Sequence, residues 1–222
     1  MTLVAVAHGS RDPRAAESTA ALIREVRAQR PAADVRHAFL ELAEPLLGEV
    51  LSHLTEPAVV VPLLLSGGYH VHVDLPATAR EHRLGTALGP DQLLVEALVD
   101  RLAEAGWRPG DAVVLAAAGS RDQRAVADSV AMGQLVSDAL GTDVTTSFVS
   151  AAEPTITEAV RGYGRRPVAV ATYLLAPGFF ADQVIAASEG LPCSAPLGAH
   201  PAVARLVWKR YDEARGCAAA TS

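Results

Sequence analysis

The chain has 222 residues, of which 50% are hydrophobic and 20% are charged, and its formal net charge is −6. This length supports one large domain or two small ones, and the acidic balance excludes general nucleic-acid binding, because phosphate contacts need clustered Lys and Arg. No uninterrupted apolar run approaches the ~18 residues of a membrane span, and the N-terminal segment lacks the basic region of a signal peptide. Cys193 and Cys217 are too few to form a disulfide framework. We therefore expect a cytoplasmic protein with no membrane or nucleic-acid partner.

Apolar runs alternate with helical patterns along the first part of the chain. We predict strands at residues 2–7, 34–40 and 58–65, and helices at residues 12–29, 44–54, 75–83 and 91–105. The run at 58–65 is apolar throughout, as is typical of a central parallel strand that is covered on both faces. This alternation indicates an α/β fold.

The same pattern begins again after residues 106–111, a segment that contains Gly and Pro. The motif Gly-Ser-Arg-Asp occurs at 9–12 and again at 119–122. Two later pairs of segments also resemble each other, at an offset of 109 or 110 residues: 39–51 with 148–160, and 59–70 with 168–180. We interpret the chain as two homologous halves, 1–108 and 109–222. Each half is predicted to be a parallel sheet with right-handed crossovers, and the two are predicted to enclose a central cleft.

The two halves differ at three positions where the first half carries groups that could bind a metal. These differences are His8 against Ala118, Glu41 against Ser150, and His70 against Phe180. All three polar residues follow predicted strands, and ligands of open parallel sheets bind beyond the carboxyl ends of the strands. Imidazole and carboxylate suit iron, cobalt or zinc, and both can also accept protons. The first half is therefore predicted to carry the chemistry.

Three motifs in the first half occur in the order of a known family. "HGSRD" after the first strand, "FLELAEP" after the second and "PLLLSGGYHVHVDLP" after the third resemble the sirohydrochlorin chelatases, the class II chelatases of sirohaem and cobalamin synthesis. The resemblance covers nearly the whole chain, since members of this length carry a duplicated chelatase half. It implies that the protein inserts ferrous iron or cobalt, with nickel as a further option, into sirohydrochlorin. It also implies that His8, Glu41 and His70 are the catalytic residues.

The resemblance gives each of these residues a role. His8 and His70 would hold the metal weakly, leaving positions for the macrocycle nitrogens, and Glu41 would complete the ligand set or accept a pyrrole proton. The metal is a substrate in this reaction, and no organic cofactor is implied. A monomer is expected, because the duplication supplies both halves.

The tetrapyrrole substrate carries eight carboxylates, so the acidic protein needs local positive groups to bind it. Candidates are the helix N-termini after each Gly-Ser pair, together with Ser10, Arg11, Ser120 and Arg121. The alternative is that these Arg-Asp pairs are solvated first turns of helices. His72 is a weaker candidate for the site, and Asp74 is expected to cap a helix. The other histidines, His37, His53, His82 and His200, are expected to be surface or core residues.

Other functions were weighed against this interpretation. An α/β-hydrolase requires a G-x-S-x-G elbow, which the sequence does not contain. A histidine phosphatase would have Arg before the histidine, and Ala7 precedes His8. A non-catalytic metal or tetrapyrrole carrier would use the same cleft and the same ligands, so it stays open as the alternative to an enzyme.

Overall fold

The computed structural model describes residues 1–68, 75–188 and 190–216. The first half contains β1 (Leu3–Ala7), α1 (Pro13–Gln29), β2 (Val35–Phe39), α2 (Leu47–Ser52), β3 (Val59–Pro62), α3 (Leu75–Thr78), β4 (Arg83–Leu84) and α4 (Gln92–Glu104). The second half contains β5 (Ala112–Ala117), α5 (Gln123–Leu140), β6 (Val144–Phe148), α6 (Ile156–Gly162), β7 (Val168–Tyr173), α7 (Phe179–Ala187) and α8 (Pro201–Gly216). Within the described residues, no helix is both long and apolar enough to cross a membrane.

Two parallel sheets with equivalent strand orders form the fold, as the internal repeat predicts. The first sheet has the order β2-β1-β3-β4, and the second has the order β6-β5-β7. The second sheet has a remnant of a fourth strand, because Val170 in β7 forms a parallel bridge with Cys193 where β4 lies beside β3 in the first sheet. The α/β prediction and the duplication are therefore confirmed.

One predicted helix is wrong in its extent. The helix expected at 75–83 ends at Thr78, and Arg83 instead begins β4, where its N–H donates to the carbonyl of Ala58. A strand of two residues has no period that a sequence pattern could reveal. The strand expected at 58–65 is also shorter, ending at Pro62, and the helix expected at 44–54 begins only at Leu47.

The two sheets share one hydrophobic core. In β1, alternate side chains face opposite ways: Leu3, Ala5 and Ala7 join a cluster that includes β5 and β7, whereas Val4 and Val6 join an outer cluster of the first half alone. The last helix of each half packs against the other half, α4 against α5 and β7, and α8 against α1 and β3. The core is therefore continuous across the sequence boundary between the halves.

A buried ionic cluster fixes α8 against the first half. The Asp91 carboxylate is 8% exposed and accepts hydrogen bonds from Lys209 Nζ at 2.6 Å and Arg210 Nη2 at 3.1 Å, as well as from the N–H of Leu93. Burial alone would raise the pKa of Asp91, but these donors outweigh it and hold the pKa below the ordinary value. Arg210 also donates to the carbonyl of Leu88, so one buried guanidinium ties α8 to the loop before α4.

We expect Asp91→Ala to lower the free energy of unfolding by about 3 kcal/mol at pH 7, because α4 would lose its N-cap and the buried Arg210 would keep the half-exposed Glu213 as its charged partner. The matched control is Glu96→Ala, which removes an exposed pair with Arg205 between the same two helices and should cost less than about 1 kcal/mol. Urea denaturation measures both values. Because the folded pKa is depressed, the contribution of Asp91 is complete above about pH 4 and is lost as the pH falls through the folded value. Equal losses in the two variants would contradict this assignment.

Candidate metal-insertion site

His8 and Glu41 lie side by side where β1 and β2 end. The parallel ladder continues past both strands, because Leu40 N–H donates to the carbonyl of Ala7 at 2.9 Å and Glu41 N–H donates to that of His8 at 3.0 Å. This register places His8 Nε2 3.3 Å from Glu41 Oε1, and the two side chains are 39% and 54% exposed. An imidazole and a carboxylate therefore meet at the carboxyl edge of the sheet, within reach of solvent.

Gly9 allows this close approach. Its φ is +101°, which favours glycine, and a Cβ built on it would lie 1.7 Å from the carbonyl oxygen of Glu41. Gly119 has the same role in the second half, where its Cβ would lie 1.8 Å from the carbonyl oxygen of Ser150. The glycine of the repeated Gly-Ser motif is thus needed for backbone packing in both halves, while the histidine before it belongs to the first half alone.

The equivalent corner of the second half has no ligand groups. Ser150 N–H donates to the carbonyl of Ala118 at 3.1 Å, and the Ser150 Oγ also donates to that carbonyl at 3.2 Å. The same turn is present in both halves, with Leu42 at φ +62° and Ala151 at φ +60°. The backbone is therefore shared, and only the side chains differ.

The N-termini of α1 and α5 are already capped. Asp12, and not Ser10, is the N-cap of α1; its carboxylate accepts the N–H of Arg14 at 2.9 Å, and Ser10 Oγ accepts the N–H of Asp12 at 3.0 Å. Asp122 and Ser120 repeat this arrangement in α5. Because α1 begins with Pro13, which has no N–H, its first turn does not offer the free donors that the sequence led us to expect.

The two candidate arginines point to solvent. Arg11 and Arg121 are exposed, and neither forms an ion pair with any carboxylate in residues 1–68, 75–188 and 190–216. The neighbouring Arg14 and Arg124 are instead engaged with their N-cap aspartates. Each Gly-Ser turn therefore has beside it one exposed guanidinium that no described carboxylate pairs with.

The third predicted ligand, His70, lies outside the described residues, as do His72 and Asp74. The predicted convergence of His8 and His70 thus stays a prediction. Within the described part of the chain, no group of three or more His, Cys, Asp or Glu side chains is placed to hold a metal ion.

The remaining histidines have structural contacts. His200 is buried with Nε2 3.1 Å from Asp100, and His82 Nδ1 accepts the N–H of Ala58. His53 Nδ1 lies 2.7 Å from the carbonyl of Glu49. His37 packs edge-on against Phe39, and burial lowers its pKa. These contacts agree with surface or core roles for all four.

The N-terminus of α7 lies against the N-terminus of α1 and brings the second half to the site. Arg14 donates to both carboxylate oxygens of Asp182, at 3.1 and 2.7 Å, and these bonds hold the pKa of Asp182 below its ordinary value. A Cβ on Gly178 would lie within 3.9 Å of the Asp12 side chain. Phe179 and Phe180, which follow, are 70% and 42% exposed and pack edge to face. The sequence comparison of the halves assigned no role to this aromatic pair.

Comparison with known proteins agrees with this architecture. A family model described as CbiX matches residues 2–105 and again residues 112–214, whereas no curated protein matches significantly. A structure of SirB from Bacillus subtilis with Fe³⁺ has 24% identity and a TM-score of 0.80, over 100% of this chain and 98% of that one. CbiX, described as the terminal enzyme for biosynthesis of siroheme in denitrifying bacteria, has 24% identity and a TM-score of 0.71, over 100% of both chains. At these identities the solved structures show the common fold, and the family model, which covers both halves, shows that this chain belongs to the CbiX family.

Proposed function

We propose that the protein is a sirohydrochlorin chelatase that inserts ferrous iron or cobalt into the macrocycle. The observation that carries this proposal is the His8–Glu41 pair, which stands at the carboxyl edge of one sheet and has no counterpart in the other. Membership of the CbiX family supports it. SirB, which shares the fold, has been solved with Fe³⁺ and in complex with cobalt.

The spacing of the His8–Glu41 pair suits a shared ion. Two ligand atoms at about 2.1 Å from one metal lie roughly 3.0–3.4 Å apart for octahedral to tetrahedral angles, and the Nε2–Oε1 distance is 3.3 Å. The same spacing allows a shared proton. In the proposed reaction the pair receives the incoming ion together with His70. As the metal passes to the macrocycle nitrogens, two pyrrole protons leave: Glu41 accepts one, and the imidazole of His70, released from the metal, accepts the other. The exposure of both side chains keeps the metal weakly held, as release to the product requires.

Substrate carboxylates would rest on Arg11 and Arg121. Each guanidinium is exposed beside one Gly-Ser turn, so the two halves would bind acid groups on different sides of the macrocycle, helped by the hydroxyls of Ser10 and Ser120. Because the N–H groups of the first turn of α1 are already bonded or absent, side chains and not the N-terminus of this helix would provide the recognition on the first half.

The exposed aromatic pair on α7 supports a flat substrate. Among the described residues, five of the seven large exposed apolar side chains lie on two segments that follow β2 and β7: Leu42 and Leu46 on the first, and Phe179, Phe180 and Ile185 on α7. Such exposure is typical of binding surfaces. We propose that Phe179 and Phe180 contact the conjugated ring while the arginines bind its carboxylates.

We further propose that the protein acts as a monomer in the cytoplasm, without a nucleic-acid partner. The second half supplies the opposite wall of the cleft within the same chain, and its contacts with the first half run through a continuous core. The division into an active half at 1–108 and a supporting half at 109–222 is part of this proposal.

We expect Glu41→Gln to lower kcat for metal insertion by about 10²–10⁴-fold, because an amide cannot accept the pyrrole proton. His70→Ala should cost a similar factor. Anaerobic absorbance assays with sirohydrochlorin and Fe²⁺, Co²⁺ or Ni²⁺ in turn measure the rate. Ser150→Ala, at the equivalent position of the second half, is the matched control and should leave the rate unchanged. A Glu41→Gln rate within about threefold of the wild type would exclude the proton-accepting role.

A single-turnover mixing experiment distinguishes a chelatase from a non-catalytic carrier. Excess protein is mixed with sirohydrochlorin and metal, and the insertion rate is compared with that of the same reagents without protein. A chelatase accelerates the spectral change to the metallated product. Binding of both reagents with no acceleration would refute the chelatase and establish a carrier.

We expect the double change Phe179→Ala/Phe180→Ala to weaken sirohydrochlorin binding by roughly tenfold or more, in line with the loss of aromatic stacking contacts. Quenching of protein fluorescence by the macrocycle without metal measures the Kd. Val130→Ala, which removes an exposed apolar side chain from α5 and not from this surface, should leave the Kd within about twofold. An unchanged Kd in the double variant would place the ring elsewhere.

A further inference from the structure

The chain that leaves β3 is held by the second half of the protein. Residues 63–68, which we call the β3 exit segment, run from the end of the strand to Gly68, two residues before His70. Gly67 N–H donates to Asp128 Oδ2 in α5 at 2.8 Å. The carbonyl of Leu65 accepts a hydrogen bond from the hydroxyl of Tyr173 in β7 at 3.0 Å. Two hydrogen bonds with the second half thus hold this segment at Leu65 and at Gly67.

The hydrogen bond from the Tyr173 hydroxyl to the Leu65 carbonyl lies in a tightly packed part of the protein. The Tyr173 side chain is 2% exposed, and burial raises the pKa of its phenol, with the charges of Asp128 and Asp91 adding to the effect. The hydroxyl therefore keeps its proton and donates it. Gly89 makes the room for this bond, because a Cβ there would lie 2.2 Å from the Tyr173 oxygen and 2.4 Å from the Leu65 carbonyl oxygen.

The internal repeat shows that the equivalent positions of the first half do not make these bonds to the second half. At an offset of 110 residues, Asp128 corresponds to Ser18, and Gly67 corresponds to Pro177, which has no N–H to donate. Tyr173 corresponds to Leu63, which has no hydroxyl. The carbonyl of Leu175, the counterpart of Leu65, accepts the N–H of Gly198 from its own half instead. The bonds from Asp128 and Tyr173 are therefore specific to the contact that the second half makes with the β3 exit segment, and they are not a feature common to both repeats.

The packing of the next residue continues the same contact. A Cβ on Gly68 would lie 3.8 Å from the Cβ of Ala125, at the start of α5. The exit segment therefore follows the N-terminal part of α5 from Gly67 to Gly68.

We propose that Asp128 and Tyr173 are positioning residues for His70: they belong to the second half, and they act on the reaction by fixing the β3 exit segment, which ends two residues before this histidine. The inference rests on the proposed function, in which His70 binds the metal. It gives the second half a positioning role in the reaction, because the exit segment is held by bonds from the other half of the chain.

We expect Asp128→Ala to lower kcat for metal insertion by about 10- to 100-fold, the range expected when a reacting group is misplaced by about 1 Å. Asp128→Asn should keep kcat within about threefold of the wild type, since the amide oxygen can still accept the Gly67 N–H. The Kd for metal-free sirohydrochlorin should change by less than threefold in both variants. Ser18→Ala, at the equivalent position of the first half, is the matched control and should behave like the wild type.

Hydrogen–deuterium exchange of the peptide covering residues 63–74 gives a second readout that needs no activity. Exchange should be faster by roughly tenfold in Asp128→Ala and in Tyr173→Phe, but not in Asp128→Asn or Ser18→Ala. If Asp128→Ala exchanges and turns over like the wild type, or if Asp128→Asn is as impaired as Asp128→Ala, the positioning role is wrong. If the wild type inserts no metal, the proposed function fails, whereas the exchange data still decide whether the second half holds the exit segment.

Discussion

The contact between the backbone of Gly9 and the carbonyl of Glu41 is the constraint on which the site depends. No side chain fits between residue 9 and the backbone of Glu41, because a Cβ on residue 9 would lie 1.7 Å from the Glu41 carbonyl oxygen. With glycine there, the β1–β2 ladder extends one residue beyond β1 and two residues beyond β2, and it sets His8 beside Glu41. Two side chains separated by 33 residues in sequence thereby become partners 3.3 Å apart without either being buried.

Duplication explains how such a site persists in a protein of this size. Both halves keep the glycine, the serine and the N-cap aspartate, and these are the groups that build the corner. Only the first half keeps the imidazole and the carboxylate. The second half instead contributes bonds from Asp128 and Tyr173 to the β3 exit segment of the first half.

Exchange of the final helices makes the two halves one folded unit. Because α4 packs on the second sheet and α8 packs on the first, neither sheet is covered by its own half alone. The buried Asp91–Arg210 pair lies at this exchange. Buried ion pairs are weak sources of net stability, but they penalise wrong arrangements strongly, because an unpaired buried charge is costly. A role in fixing the register of α8 is consistent with that asymmetry, and this register in turn holds the loop that contains Gly89 beside Tyr173 and Leu65.

The sequence by itself determined the α/β class and the duplication, and it predicts which half carries the ligand groups. These features are written in short-range patterns: apolar runs such as 58–65 mark buried strands, and the Gly-Ser-Arg-Asp repeat gives the offset between the halves. Only the tertiary structure decided the two-residue strand β4, which has no period to detect, and the capping by Asp12, which competes with any ligand for the α1 N-terminus. The tertiary structure alone also revealed the hydrogen bonds of Asp128 and Tyr173 to the β3 exit segment. The partners are separated by 61 positions in one bond and by 108 in the other, and contacts of such range leave no local pattern in a single sequence. Contacts of that range depend on how the two sheets pack, and that packing is set by the sum of many buried side chains and not by any one motif.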